Sequence, residues 1–388
     1  MSASGVVIVG GAVMGSFSAW FLRQQGYSGR IRVIERDPSY AWSSTARSAS
    51  GIRTQFGAPV NLALSLFAMD FMRNIRSHFG ADADIGLHEN GYLILATPAQ
   101  AAERAAAVRW QRAAGADVVT LTPAQLRERF AWLNVDDLGL ASFGQTGEGW
   151  FDAWSLLSLV RRAAQQAGVE YLHDEAASLV LDGSRVTAVR LCSGAVLPCD
   201  WCVLAAGAAS GQFVRPLGIA LPVEPRKRTV FSFRAPVPSA GFPMLFDTSG
   251  LWVRPEGEGF IGGIQPPPDR DPPASGDFEP DHAMFEQPYW PLLAHRIPAM
   301  EALRLERSWA GHYEVNTLDH NGVIGPHDEI KNLVFATGFS GHGVMHSPAV
   351  GRAVAEWITQ QRWVSIDVCA LGWTRIRDGQ PFVEQVVY

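Results

Sequence analysis

Cysteine is scarce in this chain, with four among 388 residues, too few for a disulfide framework. An excess of basic charge is also absent. Lys and Arg number 32 against 38 Asp and Glu, a formal charge of −6 with no basic block, which argues against a nucleic-acid partner. No apolar run approaches the ~18 residues that a membrane-spanning helix needs. No charged stretch precedes a cleavable apolar segment, because the N-terminal residues pass directly into Val6-Val7-Ile8-Val9. A secretory leader is therefore not expected, and a cytoplasmic location is. Charged residues are only 18% and hydrophobic residues 47%. That balance excludes a disordered or fibrous chain and supplies cores for two or three domains.

Cys192, Cys199 and Cys202 fall close together, and Cys199-Asp200-Trp201-Cys202 has the spacing of a dithiol or metal motif. Cys202 lies inside the apolar run Trp201–Ala206, where cysteine serves as a small hydrophobe in a buried strand. No helix start follows Cys199 to lower a thiol pKa. A metal site is not expected.

The first 36 residues carry the strongest signal. A short β-branched apolar run, Val6 to Val9, is followed by Gly10-Gly11-Ala12-Val13-Met14-Gly15 and then by an apolar helical pattern ending near Gly26. A second strand, Ile31 to Ile34, ends in Glu35. This order is the fingerprint of a βαβ dinucleotide site. Gly10 turns the chain out of the strand, Gly15 lets the helix pack on the sheet, and the helix N-terminus faces a pyrophosphate. Glu35 stands where a carboxylate accepts from ribose hydroxyls, which disfavours a 2′-phosphate. Ala12 replaces the middle glycine of the usual pattern and crowds the phosphates by one methyl group.

Further along, residues 60–78 read as one long buried helix, 99–114 and 123–130 as helices, and Asp152 as the cap of a helix over 153–167. Short alternating strands at 178–181, 186–192 and 195–198 suggest a meander. Residues 266–280 form a proline-rich loop, 281–304 look helical, and 347–360 form a final helix. Strands are expected at 91–96, 201–206, 229–234, 250–253, 259–264, 304–312 and 332–336. No internal repeat is present.

Three later motifs favour FAD over NAD: the small-residue loop Ser43-Ser44-Thr45-Ala46-Arg47-Ser48-Ala49-Ser50-Gly51, the strand Val203-Leu204-Ala205-Ala206-Gly207, and the turn Ala336-Thr337-Gly338-Phe339-Ser340-Gly341-His342-Gly343. As a set they resemble the family of D-amino acid oxidase, glycine oxidase and sarcosine oxidase, over residues 5 to 365. The resemblance implies an α/β fold: a Rossmann-like FAD domain from residues 1–86, 147–220 and 325–388, and an antiparallel-sheet substrate domain from 87–146 and 221–324. It implies FAD held non-covalently, since Gly311 replaces the cysteine that links the flavin in sarcosine oxidase. Gly10, Ala12, Met14, Gly15 and Glu35 would hold the ADP half, with Arg36 near the adenine and Ala176 or Ala177 meeting it by backbone. Ser43, Ser44, Arg47 and Ser48 would line the phosphate and flavin end, with Ala206 and Gly207 beside them. Gly338 through Val344, including Gly341, His342 and Gly343, would aim N–H groups at the flavin edge.

For the substrate, the resemblance offers Arg53 as a carboxylate ligand and Tyr313, His342 and Met345 as active-site residues, with Trp252 and Phe339 as further walls. Met345 stands where sarcosine oxidase has a second cation, Ile261 where it has an oxygen-activating lysine, and Gln265 where it has a histidine. The implied reaction is oxidation of the C–N bond of a small amine or N-alkyl amino acid by hydride transfer to flavin N5, with oxygen or an unidentified acceptor taking the electrons. The missing lysine favours a dehydrogenase or a slow oxidase. Alternatives on the same scaffold are 2-hydroxy acid oxidation, with His342 or His346 as base, and a flavin module associated with RNA modification. His342 and His346 also have the i,i+4 spacing of a metal pair, but no Glu or Cys nearby completes a shell.

Overall fold

The computed structural model describes residues 4–384. Residues 1–3 and 385–388, the outer ends of the expected FAD segments, lie outside them. Two sheets organise the molecule. The first has six strands in the order Val323–Pro326, Leu333–Thr337, Trp201–Leu204, Val6–Val9, Ile31–Glu35 and Glu170–His173. Its pairs are parallel except the one between Val323–Pro326 and Leu333–Thr337. The strand Val6–Val9 is buried on both faces, which is why it reads as a continuous apolar run. Helices Val13–Gln24, Ala153–Gln166 and Gly343–Gln360 cover the sheet. They approach closely enough that a Cβ on Gly351 would lie 2.5 Å from Phe17 Cβ.

The second sheet has eight strands: Arg304–Asn316, Val223–Arg234, Gly259–Ile264, Leu251–Glu256, Met244–Phe246, Tyr92–Ala96, Leu140–Gly144 and Val118–Leu121. All its pairs are antiparallel except Met244–Phe246 with Tyr92–Ala96. A separate core of Phe231, Phe233, Phe260, Tyr289 and Leu293 lies against it. The strands Val223–Arg234 and Arg304–Asn316 pair along their whole length. Their far end packs on the first sheet's loops: a Cβ on Gly338 would sit 2.9 Å from Val223 Cγ2. This ribbon carries Tyr313 and Glu314 from one sheet to the other's loop edge. The expected meander is present as the three strands Ala176–Asp182, Arg185–Leu191 and Val196–Pro198.

Several elements differ from the sequence expectation. The long helix over 60–78 is two helices, Pro59–Arg73 and Ile75–Phe79. The break is at Asn74, whose carbonyl accepts from Ser77 N and Ser77 Oγ at 2.9 and 2.7 Å, a tighter turn in place of the helical ladder. The region 281–304 is divided into a distorted turn at Phe285–Tyr289, a helix at Trp290–Arg296 and a 3-10 turn at Pro298–Ala302; Pro288, Pro291 and Pro298 punctuate it. The last helix starts at Gly343 rather than residue 347. Strands Val118–Leu121, Leu140–Gly144, Glu170–His173, Met244–Phe246 and Val323–Pro326 were not expected. Asp152 caps its helix as expected, accepting from Trp154 N and Ser155 N.

Candidate functional site

The cleft begins at the end of Val6–Val9. Gly10 takes φ +100°, and a Cβ there would stand 2.2 Å from the Ala205 carbonyl oxygen. A Cβ on Gly15 would stand 1.9 Å from the Gly10 carbonyl oxygen. The helix Val13–Gln24 can therefore seat on the strand end only with glycine at both places. No side chain caps this helix and no acid lies in its first turn, so its first N–H groups and positive dipole end face the cleft. Glu35 closes one end. Its two carboxylate oxygens accept from Gly11 N and Asp37 N, each at 2.9 Å, and it still forms part of the cleft wall.

The cleft has a volume of about 230 Å³. From Glu35, Arg36 and Ala176 it runs past Gly10, Ala12 and Met14, then past Ala206 and Gly207. It ends among Ser43, Ser44, Ser48, Tyr313, Glu314, Gly341, Gly343 and Val344. Because the last helix begins at Gly343, a second helix N-terminus opens onto this far end. Two glycine-seated helix starts, an acid at one end and a long connecting trough fit an extended dinucleotide whose charge lies in the middle.

Eight expected residues lie elsewhere. Ala177 turns away from the cleft, as alternation along the strand requires once Ala176 faces it. Arg47 is on the wall of a neighbouring cavity, not the main one. Gly338 commits its N–H to Glu314 Oε2 at 3.0 Å. Met345 lies in the first turn of the early-starting helix and is buried in the helix-and-sheet core, as is Phe339. His342 stands behind the wall, its Nε2 3.2 Å from Arg53 Nη2. Arg53 itself is buried, donates to the Gln55 carbonyl at 2.6 Å and stacks on Phe56; it lines neither cavity. His346 pairs with Ser65 at 3.0 Å. Burial, then the Arg53 charge, pushes both imidazoles down, His346 to about 3. Among the described residues no group of three or more His, Cys, Asp or Glu could hold a metal ion. Cys199 and Cys202 are buried free thiols, the former pushed up to about 12 by burial.

Two carboxylates were missed by sequence reasoning. Glu148 is fully buried and accepts from Thr54 N, Thr54 Oγ1, Gln55 N and Gln55 Nε2 at 2.6 to 3.1 Å. It fixes the segment that carries Arg53. Glu314 lies in the cleft wall and accepts from Gly338 N and Thr337 Oγ1, both at 3.0 Å. Burial raises its pKa from 4.5 to about 7 against those hydrogen bonds. The unfolded chain thus releases this proton from about pH 4.5 while the native protein keeps it to about 7. Stability falls as pH rises through that window and is regained below it. For the cofactor-free protein, denaturation at the two ends of the window should show wild type losing about 1–3 kcal/mol more than Glu314→Gln. Equal pH slopes for the two proteins would show that Glu314 does not titrate there.

A second cavity of about 30 Å³ adjoins the far end of the cleft and shares Ser44, His312 and Tyr313 with it. Arg47, Arg228, Val230, Trp252, Gln265 and Gly311 complete most of its wall. Strand register sets Arg228 opposite Gly311 and Val230 opposite Trp309, and Gly311 lets Arg47 pack close, since a Cβ there would stand 3.0 Å from Arg47 Cβ.

The model of the family described as FAD dependent oxidoreductase matches residues 5–357. The FAD-dependent oxidoreductase domain-containing protein 1 of Xenopus laevis is 40% identical, over 98% of this chain and 84% of that protein. Glycine oxidase of Geobacillus kaustophilus (strain HTA426) is 27% identical, over 95% of this chain and 96% of that one. Among solved structures, L-proline dehydrogenase from P. horikoshii has a TM-score of 0.87 at 24% identity, covering 98% of this chain and 99% of that one; that likeness is one of fold.

Proposed function

The chain belongs to the FAD dependent oxidoreductase family, and on that premise we propose that it oxidises the C–N bond of a small amino acid or N-alkyl amino acid. FAD is its cofactor; when bound it supplies the two-electron acceptor. Gly10, Gly15, Ala12 and Met14 would hold the pyrophosphate half, Glu35 the ribose, and Ser43, Ser44, Ser48, Tyr313, Gly341, Gly343 and Val344 the reactive half. We also propose the division into a FAD domain and a substrate domain along the two sheets.

The observation that carries the reading is the second cavity, which meets the cofactor cleft at Ser44, His312 and Tyr313. Trp252, Val230 and Tyr313 give it apolar sides, with Arg228 and Gln265 as polar groups for a charged substrate. A hydroxy-acid substrate would need a base, and His342 and His346 are both engaged behind the wall. An amine that arrives neutral needs none. Glycine oxidase, by name an enzyme of an amino acid, supports the same class. The holoenzyme supplied with a dye acceptor should release ammonia or a primary amine, together with a carbonyl product, from at least one such substrate. Turnover of hydroxy acids alone would replace this reading.

The cofactor is held without a covalent bond in this proposal, since Gly311 offers no sulfur. Acid precipitation should leave the yellow colour in the supernatant, and colour retained in the pellet would contradict this. Ile261, buried in its strand, puts no positive charge where the oxygen-activating lysine stands in sarcosine oxidase, so oxygen should reoxidise the enzyme slowly.

A further inference from the structure

Two guanidinium groups stand in the wall of the second cavity, and they are held differently. Arg47 donates to the backbone carbonyls of Ala41 and Ala310 at 2.8 and 2.6 Å and stacks on Trp42. It is a strut between the small-residue loop and the ribbon. Arg228 sits opposite Gly311 and 5.4 Å from the centre of the Tyr313 ring. Both its terminal nitrogens fork onto Asp271, at 2.7 and 2.9 Å, and the pair is largely buried, at 13% and 17% exposure.

Asp271 belongs to the proline-rich loop that follows the strand Gly259–Ile264. Charges and one ring fasten this loop over the ribbon. Arg226 donates to the Asp271 carbonyl, Lys227 pairs with Asp277 at 2.5 Å, and Phe278 stacks on His312 at 4.0 Å. Phe278 also lines the cofactor cleft. With the loop in place the second cavity has room for about two water molecules, too little for an amino acid. Lifting the loop would widen the cavity.

We propose that Arg228 is the anchor for the substrate carboxylate and that Asp271 holds its place, so that an arriving carboxylate exchanges with Asp271 and frees the loop. The proposal rests on the amino-acid reading given above. The fork that grips Asp271 matches any carboxylate with two parallel hydrogen bonds. One ion pair replaces another, and Asp271 returns to water. The exchange therefore opens the loop without leaving a buried charge unpaired.

The test uses the FAD-loaded enzyme, benzoate as the probe and benzamide as its uncharged isostere, with binding read from the flavin absorption bands. Wild type should prefer benzoate. Arg228→Met should weaken benzoate roughly thirtyfold or more and leave benzamide unchanged. Asp271→Asn should strengthen benzoate about tenfold, because an internal competitor has gone. The double variant Arg228→Met/Asp271→Asn carries no lone buried charge; it should match wild type in flavin content and melting temperature and still reject benzoate. Wild type that does not distinguish the two probes, an Arg228→Met enzyme or a double variant that binds benzoate normally, or an Asp271→Asn enzyme that binds it more weakly would overturn the proposal. Binding is read without turnover. An enzyme that passes this test yet oxidises no amino acid refutes the amine reading and leaves the anchor standing.

Discussion

Gly15→Val should give a protein that purifies without FAD. The first atom beyond Cα already falls 1.9 Å from the Gly10 carbonyl oxygen and 3.1 Å from Ile8 Cγ2. Neither neighbour can yield. One is backbone and the other belongs to a strand buried on both faces. The helix Val13–Gln24 must lift from the strand, carrying its first-turn N–H groups out of the cleft. Such overpacking costs about 1–3 kcal/mol in stability. Cofactor affinity should fall by about a hundredfold or more, because the groups that meet the pyrophosphate lose their common geometry. The ratio of flavin to protein absorbance after gel filtration checks it. Full flavin content would mean that the cofactor does not lie on this turn.

Glu148→Ala should be the most damaging change to stability. Its carboxyl is the acceptor for two backbone N–H groups, a hydroxyl and an amide, all in a fully buried place. Removing it strands those donors and opens a cavity, a loss of about 4–5 kcal/mol. Burial raises the Glu148 pKa, while the bonds from Thr54 and Gln55 oppose the rise. Glu148→Gln keeps one acceptor oxygen and should lose clearly less. Chemical denaturation of the two variants checks the order. The effect should reach the cleft, since the same segment carries Arg53 into contact with His342 behind Gly341 and Gly343.

The cofactor half of the site was legible because backbone geometry demands particular residues in a fixed order. Gly10, Gly15 and Glu35 are separated by spacings that only a strand, helix and strand can use. The substrate half was not. Arg228 and Asp271 are 43 residues apart and meet through a loop whose prolines say only that it is a loop. Gly311 joins the cavity wall only because strand register puts it opposite Arg228. Glu314 lies beyond the strand expected over 304–312 and belongs to no motif. The start of the last helix was misplaced for a local reason: Ser347-Pro348 has the form of a cap followed by a first-turn proline. In the structure Pro348 sits inside the helix, and Gly343, a poor helix former by itself, begins it. That difference of one turn moves Met345 into the core and brings a helix end to the cleft.

The central claim is that this cleft presents a small carboxylate-bearing amine to bound FAD. Anaerobic titration of the purified enzyme with amino acids, N-methyl amino acids and matched hydroxy acids tests it most directly. At least one amino acid or N-methyl amino acid should bleach the flavin band stoichiometrically, and its hydroxy counterpart should not. Bleaching by the hydroxy acids alone, or by none of the three classes, would contradict it.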